Sequence, residues 1–231
     1  MSKMVLAGKI FKLDETAELG GIASKLKNYR REDIFTEEDK KLALQTEIQE
    51  LSLRQNMLRG VFSQDKIIHI RHHGDISPIP RTIEAIFTIT SLKNNLMLSV
   101  LEKKLQANNV ANQLSEILFI TTGKIVEARI SSENLRRFHE ENPQGTKVIF
   151  FDNVDIPNIN KLSLYGPDLA NTSLYSDYLK HGDIWYAVLT SKRHGNIVGV
   201  TRSGIVTIFN NIEPTEFLGY ISDEIFPMIE T

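Results

Sequence analysis

The sequence predicts an α+β fold of largely antiparallel sheets backed by helices, and three patterns carry that prediction. Between Gln45 and Thr90 apolar and polar residues alternate, the period of half-buried strands. Between Lys103 and Leu118, Ala107, Val110, Ala111, Leu114 and Leu118 recur every three or four residues with no Pro or Gly, the period of a helix face. Strand and helix patterns then alternate to the C-terminus, and such interspersion argues for α+β architecture.

Taken in order, Val5 to Leu13 reads as an opening strand. Asp14 is placed to cap a helix whose Leu19, Ile22 and Leu26 share one face. The charge run YRREDIFTEEDKK, residues 29–41, reads as a solvated connection. Strands follow at 46–53, 57–63, 66–72 and 83–90. Their separators are Arg-Gln-Asn, Gln-Asp and the Gly-Asp-Ile-Ser-Pro-Ile-Pro stretch, so the segment is expected to form an antiparallel meander. Ser91 to Asn95 is a hairpin loop into a strand at 96–101, and the helix at 103–118 comes next.

Further strands are expected at 117–121 and 124–130, then a short helix capped by Ser131 or Ser132 and ending before Pro143. Strands at 147–151 and 161–165 precede a helix at 168–180. A strand at 183–190 carries the single Trp, and a hairpin at Lys192 to Gly195 leads into the last strands. Pro214 opens the final helix, with Phe217, Leu218, Ile221 and Ile225 toward the core. A domain boundary is expected near residue 90, dividing a strand, helix and meander (1–90) from an α+β region (91–231).

Two stretches share one pattern. ILFITTGKIVEARISSENLRRF, residues 117–138, and VGVTRSGIVTIFNNIEPTEFLGYISDEI, residues 198–225, each read as strand, Gly turn, strand and capped helix, and Val5 to Leu26 is a third, looser echo. If the first two are equivalent, Gly123 and Gly204 both occupy hairpin turns with positive φ, and valine at either costs a similar amount. The strand, Gly turn, strand and helix of TTGKIVEARISSENLRRF and RSGIVTIFNNIEPTEFLGYI resembles the later part of each half of the TATA-box-binding-protein fold, over about twenty residues per copy. The resemblance implies a curved antiparallel sheet, backed by helices, that grips nucleic acid or a protein partner. The intercalating phenylalanine pairs and dense Arg and Lys of that family's DNA surface are absent, which argues against minor-groove kinking.

Composition bounds the function. The 231 residues, 41% hydrophobic and 24% charged, suffice for a sizeable core. The absence of Cys excludes disulfides, thiolate metal sites and a Cys nucleophile, and fits a reducing, cytoplasmic compartment. No apolar run is long enough to span a bilayer, and the N-terminal MSKMVLAGKIF is too interrupted for a secretory leader, so no membrane association is expected. With a formal net charge of −2, any nucleic-acid binding must rest on a local basic patch.

Phosphate-loop, dinucleotide, zinc-protease and serine-hydrolase signatures are all missing. The best basic patch is the meander from Arg54 to Arg81, with Arg59, Lys66, His69, Arg71 and His73. Alternation places His69, Arg71 and His73 on one strand face, the two histidines about 7 Å apart. That arrangement reads as an anion surface, as a solvated strand end, or as a metal site if a third ligand joins. Lys192, Arg193, His194 and Arg202 extend the nucleic-acid candidates, and no aromatic stacking platform is evident.

An enzymatic alternative rests on Glu102-x-Lys104, followed by Gln113 on the next helix. It resembles the E-x-K half-motif of PD-(D/E)xK nucleases, and Asp75 would be the upstream acid. The resemblance implies carboxylates holding Mg²⁺, with Lys104 placing the nucleophile. The competing reading is that Glu102 favours a helix N-terminus. Asp152, Asn153 and Asp155 form a further divalent-ion candidate or an Asx turn before Pro157. The sequence thus points first to a non-enzymatic nucleic-acid-binding or regulatory protein without cofactor. A Mg²⁺-dependent nuclease and a protein-interaction or homo-oligomeric assembly module are the alternatives.

Overall fold

The computed structural model describes residues 5–92 and 95–230. Strand β1 is Leu6–Leu13, and the chain divides into two units. One unit is Lys12–Val126; the other joins the stretch ending at Phe11 to the stretch beginning at Glu127. The division therefore falls at 11/12 and 126/127 rather than near residue 90. The expected boundary fails because the next strand after residue 90 pairs directly with the meander.

The Lys12–Val126 unit contains α1 (Leu19–Leu26), β2 (Arg30–Glu37), β3 (Lys40–Arg54), β4 (Met57–His72), β5 (Asp75–Leu92), β6 (Asn95–Leu101) and α2 (Lys104–Phe119). The five strands are antiparallel neighbours in chain order, as a meander requires. Leu58, Phe62, Phe87, Ile89, Leu98 and Val100 fall on one sheet face by register, and each is almost wholly buried. They pack with Ile22 and Leu26 of α1 and with Ala107, Val110, Leu114 and Leu118 of α2.

Several elements differ from the sequence reading, each for a local reason. The helix starts at Leu19 rather than after Asp14, whose amide donates to the carbonyl of Lys124 (2.8 Å). The charge run 29–41 is not a connection. It forms β2, a turn and the start of β3, and β2 is an outer strand, where charged side chains discourage pairing with other chains. Residues 57–72 are one strand, and of the proline-rich stretch 74–80 all but the turn residue Gly74 lies within β5. Pro78 and Pro80 stand opposite His69 and Ile67. Counting from the closing pair His72 and Asp75, these are non-hydrogen-bonded positions, so each proline nitrogen points to the outer side. β6 pairs with β5 only from Ile86 onward, which leaves that side unpaired where the prolines sit. The β5–β6 turn expected at 91–95 has its centre, residues 93 and 94, outside the described residues; the flanking Leu92 and Asn95 pair.

β7 (Ile125–Glu127) spans the 126/127 division, and the other unit continues through α3 (Ser132–Glu140), β8 (Thr146–Asp152), β9 (Leu162–Tyr165), α4 (Ser173–His181), β10 (Asp183–Thr190), β11 (Ile197–Thr201), β12 (Ile205–Ile208) and α5 (Pro214–Tyr220). Its antiparallel strand order is β1-β12-β11-β10-β8-β9. The Ser131 hydroxyl accepts from the Asn134 amide (3.0 Å) to cap α3, and Thr172 caps α4 through the Tyr175 amide (3.2 Å). The helix expected at 168–180 therefore starts at 173, after a single 3₁₀ turn at 169–171. Pro214 is the first residue of α5, behind a capping box of Glu213 and Glu216. Lys9 on β1 is wholly buried and ion-paired to Glu127.

The proposed repeat fails in its first copy. Ile117 to Phe119 end α2 instead of forming a strand, and Ile120 closes that helix in the left-handed conformation with its side chain 95% exposed. The turn carrying Gly123 thus follows a helix, whereas Arg202 to Ile205 joins the adjacent antiparallel strands β11 and β12. What the stretches share is a positive-φ glycine (φ 83° at Gly123, 70° at Gly204), a short strand and a helix.

The two glycines also differ in surroundings, which changes the expected mutational result. A Cβ on Gly123 meets no atom within 4 Å, whereas on Gly204 it would lie 3.1 Å from the Ile10 carbonyl oxygen and 3.2 Å from that of Ala128. Gly123→Val is expected to cost about 1–2 kcal/mol from φ alone. Gly204→Val is expected to cost more, because backbone oxygens cannot step aside. Urea-unfolding midpoints of the two variants check this, and equal losses would contradict it.

Candidate nucleic-acid interface

The sequence candidates fall into three groups once placed. The first lies on the β4–β5 hairpin. The β3–β4 ladder reaches Thr46 and Gln64, and the β5–β6 ladder stops at Ile86 and Leu101; β4 and β5 continue as a paired ribbon to His72 and Asp75. Register puts His69 and Arg71 on one face of the ribbon, opposite Pro78 and Ile76, and puts Lys66 and its partner Arg81 on the other. His73 is not on the strand face assigned to it. It is the first turn residue, with φ 49° followed by Gly74 at 96°, because a two-residue hairpin loop needs positive φ at both positions. Its ring lies edge-on to His72 at 4.2 Å. Ile70, Ile76 and Ile79 are exposed beside these side chains, at 43%, 56% and 38%.

The ribbon is braced from its own unit. Asp65 at its root accepts from the Gln45 amide (3.0 Å) and from the Thr82 hydroxyl (2.6 Å), so its charge is turned inward. Near the tip, His69 Nε2 lies 3.1 Å from both carboxylate oxygens of Glu37, and Lys40 donates to Ser77 (3.2 Å). Arg59 and Arg54 belong to the far end of β4 and β3. Twelve residues separate Arg59 from Arg71, about 40 Å of strand. Both lie on one face by alternation, but no compact ligand spans them.

The second group is neutralised. Arg202 donates to both carboxylate oxygens of Asp152 (2.6 and 2.5 Å) and lies 3.9 Å from Asp183. Arg193 and His194 face Asp223 and Glu224, at 3.6–3.8 Å, in the π-helical turn 221–225 that follows α5. These three are sequence candidates for phosphate contact; here each faces carboxylates remote in sequence, Arg193 with its side chain still 63% exposed. Lys192 is exposed, its backbone amide held by the Asn142 side chain (2.7 Å).

The third group, the nuclease set, is not brought together. Asp75 sits at the ribbon tip, while Glu102 follows the residue paired with Ile86, so roughly 30 Å of strand separates them. Glu102 accepts from the Lys103 amide (2.9 Å) just ahead of α2, the local role of a helix-start carboxylate. Lys104 is exposed on the first turn of α2, and Gln113 is more than two turns further along it. The divalent-ion candidate likewise disperses: Asp152 holds Arg202, Asn153 donates to Asp183 (3.0 Å), and Asp155 meets His181 (2.8 Å). Among the described residues no group of three or more His, Asp or Glu side chains is arranged to hold a metal ion. No helix of the described residues is long and apolar enough to cross a membrane.

No family model and no curated protein matches the chain.

Proposed function

We propose that the chain binds nucleic acid by inserting the β4–β5 ribbon, residues 65–82, into a groove of a duplex. The observation that carries this reading is the division of the cations between the two ribbon faces, Arg71, beside the Glu37-bound His69, against Lys66 and Arg81. On a flat sheet such a division wastes half the charge. A groove has two phosphate walls, and the major groove admits a two-stranded β-ribbon, so both faces meet a backbone at once. The exposed Ile70, Ile76 and Ile79 supply apolar surface for base edges and thymine methyls. Local charge suits this role even though the whole chain has a net charge of −2, because phosphate neutralisation acts over a Debye length.

The test is the salt dependence of binding to a mixed-sequence duplex. Replacing Arg71 and Arg81 together with Ala removes one cation from each face. The slope of log K against log salt is then expected to shrink by about 2, near 0.9 per lost phosphate contact. An unchanged slope and affinity in the double variant would overturn the ribbon as the contact surface.

A further inference from the structure

Strand pairing gathers four aromatic side chains that are scattered in sequence. Phe150 on β8, Tyr165 on β9, and Trp185 and Tyr186 on β10 form one cluster, with Phe150 5.7–6.0 Å from each of the other rings and Trp185 5.7 Å from Tyr186. The neighbouring Phe151 packs on Tyr175 and Tyr178 of α4. Alternation along β8 therefore turns Phe150, and the cluster with it, to the face away from α4. The rings reach solvent: Tyr165 is 70% exposed, and Phe150, Trp185 and Tyr186 are partly exposed.

The rings are not coplanar, since Tyr165 stands at 78° to Phe150 while Trp185 and Tyr186 lie within 32° of each other, and two details set their surroundings. A Cβ on Gly199 would lie 2.5 Å from the Tyr186 hydroxyl, so the missing side chain lets Tyr186 lie down on β11. At the border, the Lys161 ammonium stands 5.0 Å from the Trp185 ring centroid. An exposed cluster of aromatic rings with a cation at its edge matches a ligand of planar π faces linked by anions. A neutral sugar or an apolar peptide can cover the rings but leaves Lys161 without an anionic partner.

We infer that Phe150, Tyr165, Trp185 and Tyr186 stack bases of a single-stranded nucleic acid, with Lys161 on its phosphates. Every base offers a π face, so the site is tolerant of sequence. It shares no residue with the β4–β5 ribbon and stands on different observations.

Trp185 is the only Trp, so its fluorescence reports this site directly. Titrating the full chain with oligothymidylate and oligoadenylate at low salt is expected to quench that emission saturably. Tyr165→Ala, an exposed position, is expected to weaken binding about tenfold or more, and Lys161→Ala to lower the salt slope by about 0.7. The Arg71→Ala, Arg81→Ala double variant is expected to keep the quenching, which separates this site from the ribbon. The inference is overturned by absence of quenching at low salt, by quenching that Tyr165→Ala leaves unchanged, or by quenching with a neutral oligosaccharide but not with either oligonucleotide.

Discussion

Lowering the pH from 6.5 to 4 is expected to remove about 3 kcal/mol of stability through one residue, His139. Its imidazole is wholly buried on α3, with Nε2 2.8 Å from the Thr146 hydroxyl and Nδ1 3.1 Å from that of Tyr175. Thr146 donates its own proton to the Pro143 carbonyl (3.1 Å), so it accepts from Nε2–H, and Nδ1 is left as an acceptor facing Tyr175. Burial pulls the His139 pKa down to about 4, against a smaller opposing pull from Glu140. The Tyr175 hydroxyl has one proton to donate to either Nδ1 or Glu140 Oε1 (3.2 Å), and its pKa is pushed up by the same burial.

The sign follows from proton binding. Above pH 6.5 the imidazole is neutral both folded and unfolded, and its contribution is constant. Between 6.5 and 4 the unfolded chain takes up the proton and the native one does not, so stability falls as pH falls; below about 4 the loss saturates. Denaturant unfolding at pH 7 and 4.5, compared with His139→Gln, measures it. The variant is expected to start less stable and to change less across that window. Equal stability of the wild type at the two pH values would contradict a buried neutral imidazole.

How much of this was legible in the sequence depends on whether the information was local. The spacing of Ala107, Val110, Leu114 and Leu118 predicts α2 because a helix face repeats within one turn, and all four are buried as expected. Ile117 to Ile120 misleads because a four-residue apolar run has no period of its own; only the preceding helix decides it. The charged β2 and the prolines of β5 read as loops because their strands carry an unpaired side, where propensity and sheet position part company.

The site residues divide in the same way. His69, Arg71 and Arg81 stand out as candidates in a run of basic residues, but their allocation to opposite faces needs the register. The neutralisation of Arg202 by Asp152, fifty positions away, left no trace in the local sequence. Neither did the aromatic cluster, whose members at 150, 165, 185 and 186 come from three strands. A hint was present in Gly199, a glycine inside a strand pattern, which marks close approach of another group.

The ribbon itself offers the most direct test. Replacing His69 to Pro78 by Asn-Gly between Ile68 and Ile79, a hydrogen-bonded pair suited to a two-residue turn, removes the tip and leaves the buried sheet and helices intact. Affinity of this variant for a mixed-sequence duplex, measured beside the wild type at low salt, is expected to fall on the order of 100-fold, since Arg71, three histidines and two exposed isoleucines go together. Duplex binding as tight as the wild type's, or a wild type that binds no duplex at all under those conditions, would contradict the account.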